Sequence, residues 1–122
     1  MKPKRCEGYA EYVPKPWGFE EIICNSKLYC GKKLHIKKDH KTSLHYHLLK
    51  DETFYIESGV LHVETYPEND YTLSHREDYI LKRGDVFHKA RSSVHCLRAL
   101  EDTVLFEFST EHFDNDSHRI TE

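Results

Sequence analysis

No stretch of this 122-residue chain approaches the roughly 18 consecutive apolar residues of a membrane-spanning helix, so no membrane association is expected. Charge of one sign is not in excess either: 18 Lys and Arg stand against 21 Asp and Glu, a net charge of −3. That balance leaves no electrostatic footprint for a nucleic-acid partner. The four cysteines, Cys6, Cys24, Cys30 and Cys96, form no C-x-x-C pair and no zinc spacing. The opening residues, MKPKRCEGYAEYV, set no apolar stretch behind their basic residues, so a secretory leader is not expected and reduced thiols in a cytoplasm are. Internal repeats, low-complexity tracts and helical periodicity are missing too.

What the chain does contain is a succession of short segments rich in β-branched and aromatic residues, divided by turn signals: FEEIIC, LYCGKKLHI, LHYH, ETFYIE, VLHVETY, YILK, DVFHKA, HCLRAL and TVLFEFS. Many short strands and no helix predict an all-β domain, a sandwich or barrel. One domain fills residues 1–122, with a core over about 17–110, a short N-terminal arm and a polar C-terminal tail from Glu111 that is expected to be partly disordered. Pro67 to Asp78 reads as a polar hairpin extension or surface loop, and Lys82-Arg83-Gly84 as a tight turn.

The unusual abundance is histidine, ten in all, so position must decide which matter. In SLHYHLLKDETFYIESG, residues 43–59, His45 and His47 lie two apart in an extended segment. Side chains of a strand alternate faces, so the two imidazoles point to one side and can converge on one ion. Glu52 on the next strand can add a carboxylate. His95 opens HCLRAL, whose alternation groups it with Leu97 and Ala99 on the expected interior face. Three histidines and a carboxylate suit one divalent transition metal per chain, Fe, Mn, Ni, Co or Zn.

This constellation resembles the cupin family. The first cupin motif is written G-x5-H-x-H-x3,4-E-x6-G, and His45, His47, Glu52 and Gly59 match it, with Asp39 in place of the first glycine. The second is G-x5-P-x-G-x2-H-x3-N. Gly84 and His95 match, while Ala90, Ser92 and Ala99 replace its proline, second glycine and asparagine. The resemblance implies a double-stranded β-helix, or jelly roll, with His45, His47, Glu52 and His95 as metal ligands inside one end. KPWGFEEII, residues 15–23, is similar to the start of the cupin domain of type II mannose-6-phosphate isomerases. That implies a sugar or sugar-phosphate isomerase or epimerase, with Glu52 as the candidate catalytic base and Tyr55, His88 or Lys37 as candidates to assist it. A Fe(II) cupin oxygenase and a non-catalytic carbohydrate-binding module are the alternatives.

Around the site, Tyr55 should point away from Glu52, and His88, sharing parity with Val86, is weighed as a cavity residue. His35 and His62 are expected at the surface, and Arg91 and Arg98 are weighed as phosphate anchors against ordinary surface arginines. Lys32, Lys33, Lys37, Lys38 and Lys41 are read as a solvated cluster near the cavity mouth, and Trp17 as a packing residue closing the barrel. A homodimer is expected, with Phe19 to Ile23 as an exposed strand edge.

Overall fold

The computed structural model describes residues 9–120. Among the described residues eleven strands form two antiparallel sheets: β1 (Glu11–Lys15), β2 (Gly18–Asn25), β3 (Cys30–Ile36), β4 (His45–Tyr46), β5 (Glu52–Ser58), β6 (Val60–Glu68), β7 (Glu77–Lys82), β8 (Val86–Lys89), β9 (Ser93–Ala99), β10 (Thr103–Ser109) and β11 (His118–Arg119). One sheet has the order β1-β2-β3-β10-β5-β8, the other β11-β4-β9-β6-β7. This is the all-β architecture that the strand pattern predicts and the jelly roll that the resemblance implies. Among the described residues no helix is long and apolar enough to cross a membrane.

Strand alternation builds the interior. Phe54 and Ile56 on β5, Leu61 and Val63 on β6, Leu97 and Ala99 on β9, Leu105 on β10 and Leu34 and Ile36 on β3 are all buried in one apolar cluster. Burying a side chain such as Phe54 or Ile56 contributes roughly 1.5–3 kcal/mol. Trp17 packs on the same cluster, as expected.

The inward rows are not apolar along their whole length. Each inward row changes character toward the same end of the barrel: Phe54 gives way to Glu52, Leu97 to His95, Leu105 to Glu107, Leu34 to Lys32 and Val63 to Thr65. The register stacks these ends together, with Glu107 opposite both Phe54 and Lys32, Thr65 opposite His95, and His95 opposite His45. One half of the barrel is therefore a hydrocarbon core and the other a buried polar chamber.

Three expectations need correction. Phe19 to Ile23 is not a sheet edge, because β1 covers β2 on its outer side. Pro14 sits in β1, and a proline is tolerated there because β1 is itself the edge strand. The C-terminal tail is structured over its described residues, 111–120: a short 3-10 turn, Asp114–Asp116, leads into β11, which pairs with β4. The polar excursion is shorter than expected, since β6 runs to Glu68 and β7 begins at Glu77. The turn at Gly84 forms as expected, with φ +88° and Asp85 N–H donating to the Lys82 carbonyl at 2.9 Å. Cys24, Cys30 and Cys96 are free thiols, while Cys6 lies outside the described residues.

Candidate metal centre

β4, the residue after it and the start of β9 bring His45, His47 and His95 together. One ring nitrogen from each lies within 4.8 Å of the others. Ring centroids are 4.3 Å apart for His45 and His95, 5.0 Å for His45 and His47, and 5.8 Å for His47 and His95.

The other ring nitrogens fix the chemistry. Nδ1 of His45 donates to the Ser43 carbonyl at 2.7 Å, Nδ1 of His47 to the Asp116 carbonyl at 2.9 Å and Nδ1 of His95 to the Ser93 carbonyl at 3.2 Å. A carbonyl cannot donate, so Nδ1 is the protonated nitrogen in each ring and Nε2 keeps its lone pair. This backbone tethering is the arrangement that orients metal-binding imidazoles. The rings are also held neutral. His45 is pushed down to about 4 and His47 to about 2, and His95 lies well below its ordinary value. Burial is the leading cause in all three, and the charge of Lys89 adds to it.

Glu52 opens β5 beside this triad but outside the tight three-histidine group. Its Oε1 is 3.5 Å from Nε2 of His47 and 2.7 Å from Nζ of Lys50, and its Oε2 is 4.0 Å from Nζ of Lys89. Despite the Lys50 ion pair, neither oxygen receives a well-aligned hydrogen bond, and both are buried. Buried carboxylate oxygens with unused acceptor capacity, next to three free Nε2 lone pairs, fit a divalent cation.

A network of buried charge backs the site. Lys50 also lies 3.6 Å from Glu107, and Lys32 lies 3.6 Å from Glu20. Burial alone would lower the Lys50 ammonium, but Glu107 and Glu52 outweigh it and raise it. Burial would likewise raise Glu107, and Lys50 and Lys32 reverse the sign. Glu52 is raised, first by burial and then by the charge of Glu107.

Lys50, Lys89 and Glu107 escape a reading by residue type, because charge in a strand is ordinarily read as solvent-facing. For the two in strands parity gives the signal, since Glu107 shares the inward face of Leu105 and Lys89 that of Phe87, whereas Lys50 lies in the loop after His47 and has none. Lys32 is a correction on the same ground, being buried on the inward face of β3 instead of solvated, whereas Lys37, Lys38 and Lys41 are exposed. His88 is corrected too. β5 pairs Phe54 with Phe87, which turns Phe87 inward and leaves His88 exposed, 2.6 Å from Asp51. Tyr55 faces outward as expected, in an open apolar groove with Thr53, Val86, Phe106 and Phe108. His35 and His62 sit on outer faces against Glu21 and Asp78, and Arg91 and Arg98 are exposed.

The sequence profile of the cupin family matches residues 35–121, well over half of the chain. The chain belongs to the cupin family. Solved cupin-like structures agree in fold. The capsular polysaccharide assembling protein CapF from Staphylococcus aureus superposes with a TM-score of 0.80 at 16% identity, over 95% of this chain and 33% of that one. KdgF from Halomonas sp. gives 0.73 at 17%, over 90% and 98% of the two chains. Oxalate decarboxylase from Bacillus subtilis gives 0.77 at 16%, over 91% of this chain and 30% of that one. This cupin thus spans about a third of CapF and of oxalate decarboxylase and nearly all of KdgF. CapF also superposes as a complex with the inhibitor 3-isopropenyl-tropolone, with a TM-score of 0.79 at 17% identity over 93% of this chain and 34% of that one. No curated protein sequence matches the chain.

Proposed function

We propose that this cupin binds one divalent transition metal, Fe, Mn, Ni, Co or Zn, through His45, His47, His95 and Glu52, and acts on a sugar or sugar phosphate as an isomerase or epimerase. The observation that carries the metal is the set of three Nδ1-to-carbonyl bonds, which leaves three neutral Nε2 atoms grouped in one buried place. A metal there supplies a Lewis acid for a carbonyl and its neighbouring hydroxyl oxygen.

The residues around the site do the remaining work. Glu52 is the acidic group beside the triad, and burial and Glu107 raise its affinity for a proton, which suits a group that takes a C–H proton and returns it. Nζ of Lys50 lies 2.7 Å from its Oε1 and so helps to orient the carboxylate. Two neighbours, CapF and oxalate decarboxylase, support the substrate class. Tropolone and oxalate both present two oxygens on adjacent carbons, as does the α-hydroxycarbonyl of an open-chain sugar, and CapF is named for polysaccharide assembly. The reading includes a homodimer through the exposed aromatic face around Phe108, which sedimentation at micromolar concentration checks.

The test has two stages. Plasma mass spectrometry of purified protein should find near one transition metal per chain, lost in His95→Ala without loss of the fold. NMR in deuterated water should then show metal-dependent deuterium exchange into an aldose or ketose (or its phosphate) in wild type and none in Glu52→Gln. Unchanged metal content in His95→Ala overturns the ligand set. Metal binding without exchange into any sugar tested overturns the isomerase.

A further inference from the structure

The C-terminal segment does more than complete a sheet. After β10 the chain crosses to the far sheet, where β11 pairs His118 with Tyr46 and Arg119 with His45, and Ile120 N–H donates to the Leu44 carbonyl at 3.0 Å. The ring of His118 stacks on Tyr46 with centroids 5.1 Å apart. At the centre of this segment sits Asp116, 4% exposed although it lies in a polar stretch.

The hydrogen bonds that Asp116 accepts come from one short loop and the histidine before it, while Nε2 of His118 lies 3.8 Å from Oδ1. Its Oδ1 accepts from Leu48 N–H at 2.9 Å and Leu49 N–H at 3.2 Å. Its Oδ2 accepts from Leu49 N–H at 3.2 Å and Lys50 N–H at 3.1 Å. Its main-chain carbonyl accepts from Nδ1 of His47 at 2.9 Å. Three successive backbone N–H groups converging on one carboxylate make a nest, an arrangement that holds an anion firmly. The loop so held, residues 48–51, joins His47 to Glu52.

We infer that Asp116 is a positioning residue of the metal centre, so that metal binding and docking of residues 113–120 are coupled. The inference rests on the metal reading above. Without the carboxylate three N–H groups of the loop lose their acceptor in a place where β-pairing supplies none, and the carbonyl that fixes the His47 tautomer loses its side-chain link to that loop. Partners that orient metal-binding histidines are worth about 10–100-fold in metal affinity. Linkage makes the effect reciprocal: metal must then hold the segment down as much as the segment favours metal.

The experiment is a Co2+ titration of chelator-treated protein, read by the visible spectrum, together with hydrogen exchange with and without Co2+. The proteins are wild type, Asp116→Ala, Asp116→Asn and Leu81→Ala. Leu81 is a buried residue of β7 remote from the loop in sequence, and its truncation reports the effect of lower stability alone. Asp116→Ala should weaken Co2+ by about 10–100-fold and alter the spectrum. Asp116→Asn, keeping one acceptor oxygen, should fall between, and Leu81→Ala should bind as wild type does. In wild type, Co2+ should slow exchange of the amides of 48–50 and 113–120. Wild-type affinity and spectrum in Asp116→Ala, or equal losses in Leu81→Ala, overturn the inference and leave the metal site standing. Should Asp116→Ala not fold, unchanged exchange of 113–120 on Co2+ binding to wild type overturns it. No Co2+ uptake by wild type overturns both this inference and the metal reading.

Discussion

Acid should expose the neutrality of the histidine triad. In the metal-free chain His47 resists protonation down to about 2, chiefly through burial and then through the charge of Lys50, against an ordinary value of 6.5. The unfolded chain has no such constraint and takes up a proton below about 6.5. Its folded value is the lower one, so the unfolded state binds more protons as pH falls, and stability drops with pH across the window from 6.5 to about 2. At 1.36 kcal/mol per pH unit, His47 alone should cost about 1.4 kcal/mol by about pH 5.5 and about 2.7 kcal/mol by about pH 4.5. Other groups move at the same time. Glu52 has a raised value, so its protonation restores stability as pH falls, while Glu107, lowered by Lys50 and Lys32, adds to the loss. His47→Gln separates the terms, because those groups titrate in both proteins. Urea unfolding in the presence of a chelator should therefore show wild type losing about 2.7 kcal/mol more than His47→Gln between about pH 7.5 and about pH 4.5. Parallel stability curves for the two proteins would mean that the ring accepts a proton within the fold, and the burial argument for the whole triad would fail.

Two predictions concern the backbone. Gly59 turns β5 into β6 at φ +90°, and a Cβ there would run into the Asp102 carbonyl oxygen and the Thr103 backbone. Gly59→Ala should cost about 2–3 kcal/mol in a denaturant titration, and a loss below about 0.5 kcal/mol would refute the clash. Ser92 lies at φ +63°, a region that β-branched residues avoid. Ser92→Val should cost at least about 1 kcal/mol while Ser92→Gly changes thermal stability little, and equal losses from the two would show that the backbone conformation is not what Ser92 supplies.

The parts of this molecule that a reading of the chain reaches are those with a local period. On β5, Glu52, Phe54 and Ile56 alternate with Thr53 and Tyr55, and the inward face follows directly. The pair His45 and His47 is legible for the same reason. VFHK is different, because Val86 and Phe87 offer an apolar residue in either phase, and only the pairing of Phe87 with Phe54 settles which face is inward. The strand β1 carries a proline, which argues against a strand unless the edge position is already known. Asp116 has no local signal at all. Its hydrogen bonds reach 66 to 69 residues back along the chain, and a two-residue strand and a single 3-10 turn have no periodicity to read.

The second cupin motif is degenerate in letters yet intact in conformation. Asp39 and Ser92 stand where the two motifs have glycine, and both adopt positive φ, 66° and 63°. Each is tied into the sheet by its backbone: Asp39 N–H donates to the Ala99 carbonyl at 2.8 Å, and Ser92 N–H to the carbonyl of His47 at 2.7 Å. The second bond joins one histidine directly to the turn that launches β9 and so places His95. What the fold requires at these positions is a left-handed turn with its N–H presented inward. Asp and Ser meet that requirement at about 1 kcal/mol of backbone cost, the smallest penalty outside glycine falling to short polar side chains. The spacing of the candidate ligands is thus set by main-chain hydrogen bonds, which explains how the site geometry persists where three of the five residues of the second motif do not.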